Sequence, residues 1–337
     1  MRFNKLMNRI GLNTRIKLCD KYNDILEEKK GPEEINCKYY SKKVLMIDAE
    51  SDEEGITEMG LKILSCGAGM QSTALALMSC ENKKYGIKYH EVPIYDAVIF
   101  CDLGNEPNWV YEQVNFIKKA CDEVKIPFYV LDTHLYKDYM DNFGKKRVVS
   151  IPFWSVDENG KKGKMMRNCT LDYKINEIIK FVKYHLLGYQ KYQRLNQQDF
   201  KAHEMHLGFS LEESKRCKEN KHKMFVNKFP LVEMNLTRAD NYKYILEEWG
   251  LDTKASACNI CPFHTNYFFE FMKDNHPDNY SSIIEFDEML EREQPNTKIR
   301  SKLYISKSRK RIRNLKQEDC CDKESFQYKN KSIWNGF

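Results

Sequence analysis

Residues 62–80 read KILSCGAGMQSTALALMSC: an apolar run, a short glycine-rich stretch, a polar step, then apolar residues at helical spacing. That order predicts a strand over 61–66, a tight loop, and a helix from about Gln71 to Glu81. A strand-to-helix turn of this kind aims unpaired backbone N–H groups and the positive end of a helix dipole at one point, which favours an anion, most often a phosphate. Gly67 and Gly69 leave room for close approach, and Ser65, Ser72 and Thr73 add hydroxyls. The G-x-x-x-x-G-K-[ST] and G-x-G-x-x-G patterns both require a glycine where Ser72 stands, so neither named loop is present. A glycine-rich turn that binds nothing is the competing reading.

Outward from this unit, YDAVIFCDLG (95–104) reads as a second strand and PFYVLDT (127–133) as a third. Between them Val110, Val114, Ile117, Cys121 and Val124 mark one face of a helix. Strand, helix, strand, helix, strand is the signature of a parallel sheet covered by helices. Further on, a helix is expected at about 171–187, a strand at 204–210, a charged helix over LEESKRCKEN, and a helix capped by Thr237 and stopped by Gly250. Two short helices follow at about 265–274 and 278–292. Residues 1–58 are charged and weakly periodic and form an appendage; 59–250 make the α/β domain and 251–337 a C-terminal region.

The chain has 337 residues, 42% hydrophobic and 31% charged, enough for a full core. No apolar run reaches the roughly 18 residues of a membrane span, and MRFNKLMNRIGLN lacks the apolar segment of a secretory leader. The expectation is a cytoplasmic protein with no membrane partner. The 12 cysteines then read as buried thiols and metal or redox ligands, not as a disulfide framework. Net charge is only +6, but residues 298–316 hold nine Lys or Arg among 19 with no acid, a candidate nucleic-acid or phosphate contact, or a solvated basic face.

Ligands of open parallel sheets bind at the carboxyl ends of the strands, so Asp102, Gly104 and Glu106 of FCDLGNEP are expected beside the glycine-rich loop. The alternative is an acidic loop in which Glu106 caps the helix after Pro107. SACNICPF carries Cys258 and Cys261 as C-x-x-C, spacing that converges two thiolates on one metal and equally fits a redox dithiol or unligated thiols. Cys169, in a polar basic loop, is the best third ligand, with Cys217 and Cys320 competing for a fourth place. Cys66, Cys80, Cys101 and Cys121 fall on apolar positions and read as core. His203, His206 and His264 lack paired ligand spacing. Arg216 in LGFSLEESKR either binds phosphate or pairs with Glu212 or Glu213.

Together LSCGAGMQSTALALM, FCDLGNEP, RNCTLDYKI, LGFSLEESKR, FPLVE, SACNICPF and the terminal FQYKNKSIWNGF resemble, in order, the blocks of the phosphoadenosine phosphosulfate (PAPS) reductase-like family of the PP-loop, or adenine nucleotide α-hydrolase, superfamily. Leu103 replaces the usual threonine of D-T-G-x-E, and Gln71 stands where the common S-G-G-x-D-S loop has aspartate. The resemblance covers about residues 61–337. It implies a doubly wound, mainly parallel α/β sheet with a cysteine-bearing C-terminal helical and loop region. It also implies a loop that holds ATP or an adenylyl-sulfate through Ser65, Gly67, Ala68, Gly69, Gln71, Ser72 and Thr73, with Asp102 and Gly104 alongside. Asp102, Glu106 and Arg216 become the expected catalytic residues, and Cys169, Cys258, Cys261 and Cys320 the expected ligands of a [4Fe–4S] cluster, with Zn²⁺ the alternative and Mg²⁺ accompanying the nucleotide.

Two chemistries follow from the resemblance. ATP adenylates an oxygen and a sulfur nucleophile displaces AMP, as in thiolation of tRNA or DNA, with a sulfur-donor protein as partner. Alternatively a thiolate attacks an adenylyl-sulfate and sulfite leaves. The Glu-Cys-Gly-Leu-His-like tail of sulfonucleotide reductases is absent, and Cys320-Cys321 follows C-x-x-C where their cluster branch has the pair before it, so the first is favoured. A non-catalytic nucleotide- or nucleic-acid-binding module is the reading from another class. The resemblance leaves room for a homo-oligomer.

Overall fold

The computed structural model describes residues 60–325 in full and, before them, the backbone of three strands. The family-like ending 326–337 lies outside the described residues. The chain divides into two compact units, one of residues 1–60 and 182–198, the other of 61–181 and 199–337. In the first, β1 (Thr14–Cys19) is the centre of an antiparallel sheet flanked by β2 (Ile25–Lys30) and β3 (Met46–Ser51). Its later segment opens with a π-turn, Val182–Leu186, and is closed by Asn196 N–H donating to Tyr189 Oη at 2.8 Å.

The larger unit is built on β4 (Lys62–Cys66), β5 (Ala97–Asp102), β6 (Phe128–Asp132), β9 (His203–Leu207) and β10 (Phe225–Lys228), all parallel, in the spatial order β10-β9-β4-β5-β6. A separate antiparallel sheet in the same unit places β7 (Trp154–Val156) between β8 (Lys162–Lys164) and β11 (Lys302–Tyr304). The chain moves one way from β4 through β6, then returns to the other side of β4 with β9 and β10. The order therefore reverses between β4 and β9, and a crevice forms at their carboxyl ends.

Strand β5 is buried at Ala97, Val98, Ile99, Phe100 and Cys101, as expected for a parallel strand covered on both faces. Helix α1 (Met70–Tyr85) is buried along nearly all its length, from Ser72 to Asn82 without a break. Each fully buried leucine of that helix, Leu75 and Leu77, stabilises the fold by about 2 kcal/mol relative to exposure. Helix α2 (Asn108–Glu123) instead buries one face, with Val110, Val114, Ile117 and Cys121 inward. Cys66, Cys80, Cys101 and Cys121 are all buried, and the Cys80 and Cys121 sulfurs lie 3.8 Å apart.

Helix α3 (Leu135–Asn142) follows β6. A π-turn at Leu171–Ile175 leads into α4 (Asn176–Phe181), and α5 (Pro230–Glu233) follows β10. In α6 (Arg238–Trp249) Thr237 and Asp240 form a reciprocal capping box, and Gly250 ends the helix at φ 66°. Helices α7 (Asn266–Asn275) and α8 (Pro277–Glu293) complete the unit. The expected charged helix over LEESKRCKEN is only a 3₁₀ segment, Leu211–Arg216, in which Glu213 pairs with Arg216 three residues on while also accepting from Gln71. Among the described residues no helix is long and apolar enough to cross a membrane.

Candidate functional site

The loop between β4 and α1 is three residues, Gly67, Ala68 and Gly69. Gly69 stands at the helix N-cap with no side-chain cap, so the first amides of α1 point out of the loop. Ser72 ties the turn together: its Oγ accepts from Gly67 N–H at 3.1 Å and donates to the Gly69 carbonyl at 3.2 Å. The Thr73 hydroxyl is buried with no hydrogen-bond partner among the described residues. Ala68 has φ 52°, and its carbonyl accepts from Gln113 Nε2 of α2.

Gln113 also joins the loop to the segment before C-x-x-C. Its side chain accepts from Lys254 N–H at 2.6 Å and donates to the Lys254 carbonyl at 3.2 Å. Trp109 Nε1–H reaches the Ala255 carbonyl, while Asn259 bonds Asn105 through both backbone and side chain. Ser256 thus hangs over the loop, and a Cβ on Gly69 would lie 2.6 Å from its Oγ. From the β9 side Gly208 closes the crevice, since a Cβ there would lie 2.7 Å from Ser72 N and 2.9 Å from Gln71 C.

Gln71, the departure from the common loop, donates to Glu213 Oε2 at 3.0 Å, with Ser210 Oγ at 3.5 Å. Glu213 in turn pairs with Arg216, whose guanidinium lies 4.4 Å from the Phe209 ring centre. Of the two sequence readings of Arg216, the structure gives the pairing with Glu213.

At the end of β5, Asp102 Oδ1 accepts from Gly104 N–H at 2.8 Å and Tyr111 Oη–H at 3.0 Å. Glu106 does not cap α2. Pro107 occupies the N-cap, and Glu106 is buried with neither carboxylate oxygen hydrogen-bonded among the described residues. Its nearest cation, Lys174 Nζ, is 4.0 Å away. Burial raises the Glu106 carboxyl above its ordinary value, Lys174 opposes this, and Asp102 adds to it. A buried carboxylate without a donor is costly unless something occupies its oxygens or it takes a proton.

Cys258 and Cys261 are neighbours, with the Cys258 thiol donating to the Cys261 sulfur; this bond and burial raise Cys258. Cys261 is lowered by that same bond, which outweighs its burial, and by Phe263 N–H and Arg167. Asn105, next to Glu106, bonds Asn259, which lies between the two cysteines, so the end of β5 and C-x-x-C form one site in which Glu106 acts electrostatically on both sulfurs and Lys174 on Cys258. Cys169 is fixed by its N–H to the Ser150 carbonyl. Cys320 is buried and its thiol is pushed up to about 11, by burial first and by the charges of Glu270, Asp322 and Asp319. Among the described residues no three His, Cys, Asp or Glu side chains are gathered closely enough to hold a metal, and of the four expected cysteine ligands Cys258 and Cys261 are the two that meet.

His203 accepts Leu61 N–H, His206 pairs with Glu204 and His264 stacks on Phe268, all structural roles. Beside the crevice, Ser65, Ile175, Met205 and Leu207 line an apolar recess of about 410 Å³, within the size range of small-molecule sites. Sequence reasoning missed Gln113, Ser256, Lys174 and Gly208, because each acts through a partner far along the chain. Gly208 alone carried a signal, as the glycine directly after a strand. Compared with known proteins, the chain matches no family model and no curated protein.

Proposed function

We propose that the chain is a PAPS reductase-like PP-loop enzyme that binds ATP, adenylates an acceptor oxygen and supports sulfur transfer to a nucleic acid or nucleotide. One observation carries this reading: the glycine-rich loop, the unbonded Glu106 carboxylate with Lys174, and the Cys258–Cys261 pair meet at one strand-end crevice. Phosphates suit the uncapped first amides of α1, in a loop whose shape Ser72 holds. Lys174 supplies positive charge where pyrophosphate departs. Glu106, raised by burial, suits proton transfer from the acceptor hydroxyl. In this step the acceptor oxygen forms a bond to the α-phosphorus, the bond to the β-phosphate bridge breaks, and the proton passes to Glu106.

The test is calorimetric ATP binding together with pyrophosphate release in the presence of nucleic acid. Gly69→Val should abolish ATP binding while leaving a cooperative melt, and Ser72→Ala should weaken it about tenfold through the loosened loop. Unchanged ATP affinity in both variants would remove the assignment. The facing thiols favour one second reading, thiol-based reduction of an adenylyl-sulfate. Sulfite released from that substrate, with loss in Cys261→Ser, would select it.

A further inference from the structure

Away from the crevice two recesses adjoin, sharing Arg147 and Val149. The first, of about 660 Å³, lies between residues 143–149 and 296–299 and is lined by Lys145, Lys146, Arg147 and Lys298. The second, of about 430 Å³, continues past Met165, Met166 and Asn168. Asp172 also lines it, accepting from Ser150 Oγ at 2.6 Å. Next in the chain, Arg167 holds its guanidinium 5.4 Å from the Phe263 ring centre, with Lys164 Nζ 4.8 Å from the same ring. Phe263 is two residues beyond Cys261, and Arg167 acts electrostatically on that cysteine.

No acidic side chain lines the first recess, and Asp172 of the second is engaged by Ser150 Oγ. In the most basic run of the sequence four of the nine cations are paired: Lys310 with Asp319, Arg311 with Asp287, Arg313 with Glu288 and Glu291, and Lys316 with Glu318. By contrast Lys146, Arg147, Lys164, Arg167 and Lys298 form no ion pair among the described residues. Lys146, Arg147 and Lys298 are exposed. Apolar surface alternates with these cations, as Val149, Met165, the 79% exposed Met166 and Phe263. A cationic groove interleaved with apolar and aromatic side chains suits a polyanion whose bases are free to pack, which a duplex does not offer.

We propose that these two recesses form a track for a single strand of nucleic acid, leading past Arg167 to the Glu106–Cys261 site. The inference rests on the reading of that site as one that activates an acceptor, and it specifies the acceptor as single-stranded.

The test is fluorescence anisotropy with labelled single-stranded DNA and RNA of about 20 nucleotides, and with the matching duplexes, across a salt series. Lys146→Glu/Arg147→Glu should weaken single-strand binding at least about tenfold and reduce the log–log salt slope by about 1.4, that is, about 0.7 for each phosphate no longer neutralised. Lys118→Glu/Lys119→Glu, the same charge change on exposed positions of α2, should stay within about twofold of the unsubstituted protein. Equal weakening in both pairs, tighter binding of duplex, or no binding of single strands overturns the track. Calorimetric ATP binding on the same proteins separates the two ideas. ATP binding without nucleic-acid binding removes the track and leaves the nucleotide reading, whereas the reverse supports the track and removes that reading.

Discussion

Gln71 shows how a single departure from a familiar pattern is absorbed by its neighbours. An aspartate there would face Glu213, with like charges in place of a hydrogen bond to a carboxylate. Gln71→Asp should therefore destabilise the protein by about 1 kcal/mol, the pair being half-buried. Glu213→Gln added to it should recover most of the loss, since the new amide can donate to the aspartate. Urea unfolding of the four-member cycle measures this; additivity within about 0.5 kcal/mol would mean that the two residues do not communicate. The sequence told at this scale which cysteines are core, since thiols on apolar positions of strands and helices behave as small hydrophobes. It did not tell that Glu106 is an orphaned carboxylate: its environment comes from Lys174 and the C-x-x-C segment, and neither is near it in sequence.

Helix α1 is legible as an element, yet its polar residues are not what they seem in one dimension. Glu81 and Asn82 look like the start of a solvated end but are buried. Asn82 accepts from Lys88 and Tyr89 N–H and donates to the Tyr89 and Val92 carbonyls. Glu81 accepts from Tyr244 Oη, Trp249 Nε1, Lys88 Nζ and Tyr89 Oη, between 2.6 and 3.1 Å. Burial alone would raise the Glu81 carboxyl, but these four donors outweigh it and hold it below the ordinary value of 4.5. A depressed carboxylate stabilises the fold above its unfolded value, and the contribution fades as pH falls through the lower native value. Glu81→Gln should cost about 2 kcal/mol at neutral pH and flatten the loss of stability on acidification below 4.5. Melting curves from pH 7 to pH 3 check both; parallel acid limbs would show that Glu81 is not the titrating group.

Over the whole molecule, the parallel α/β architecture was readable from alternating strand and helix periods, because each unit of that kind folds on local pattern. Charge was less readable. The run 298–316 looks like one basic surface, yet Arg311 and Arg313 turn from it to close the fold onto α8. Asp287 is buried and Arg311 largely so, with Arg311 Nη1 3.0 Å from Asp287 Oδ1, and Asp287 also accepts Ile312 N–H at 2.8 Å. Asp287→Ala should cost about 3 kcal/mol, since the guanidinium keeps only the half-exposed Glu291 at 3.5 Å and Ile312 N–H loses its acceptor. Arg311→Met/Asp287→Leu should recover much of this, a result that thermal denaturation can read directly. Recovery absent from the double variant would mean that the Ile312 hydrogen bond, not the ion pair, carries the cost.

The sheet order also governs how this protein comes into being. Strand β4 is made early but its β9 partner arrives late: the bond from Leu61 N–H to His203 Nδ1 spans 142 residues. Until then one side of the central strand is an open edge, able to pair with another nascent chain. Pairing across so long a stretch of chain makes closure slow. Yield during synthesis should accordingly depend on chaperones and temperature more than the stability of the finished fold would suggest, and most of the aggregation should come from chains that stop before Leu207.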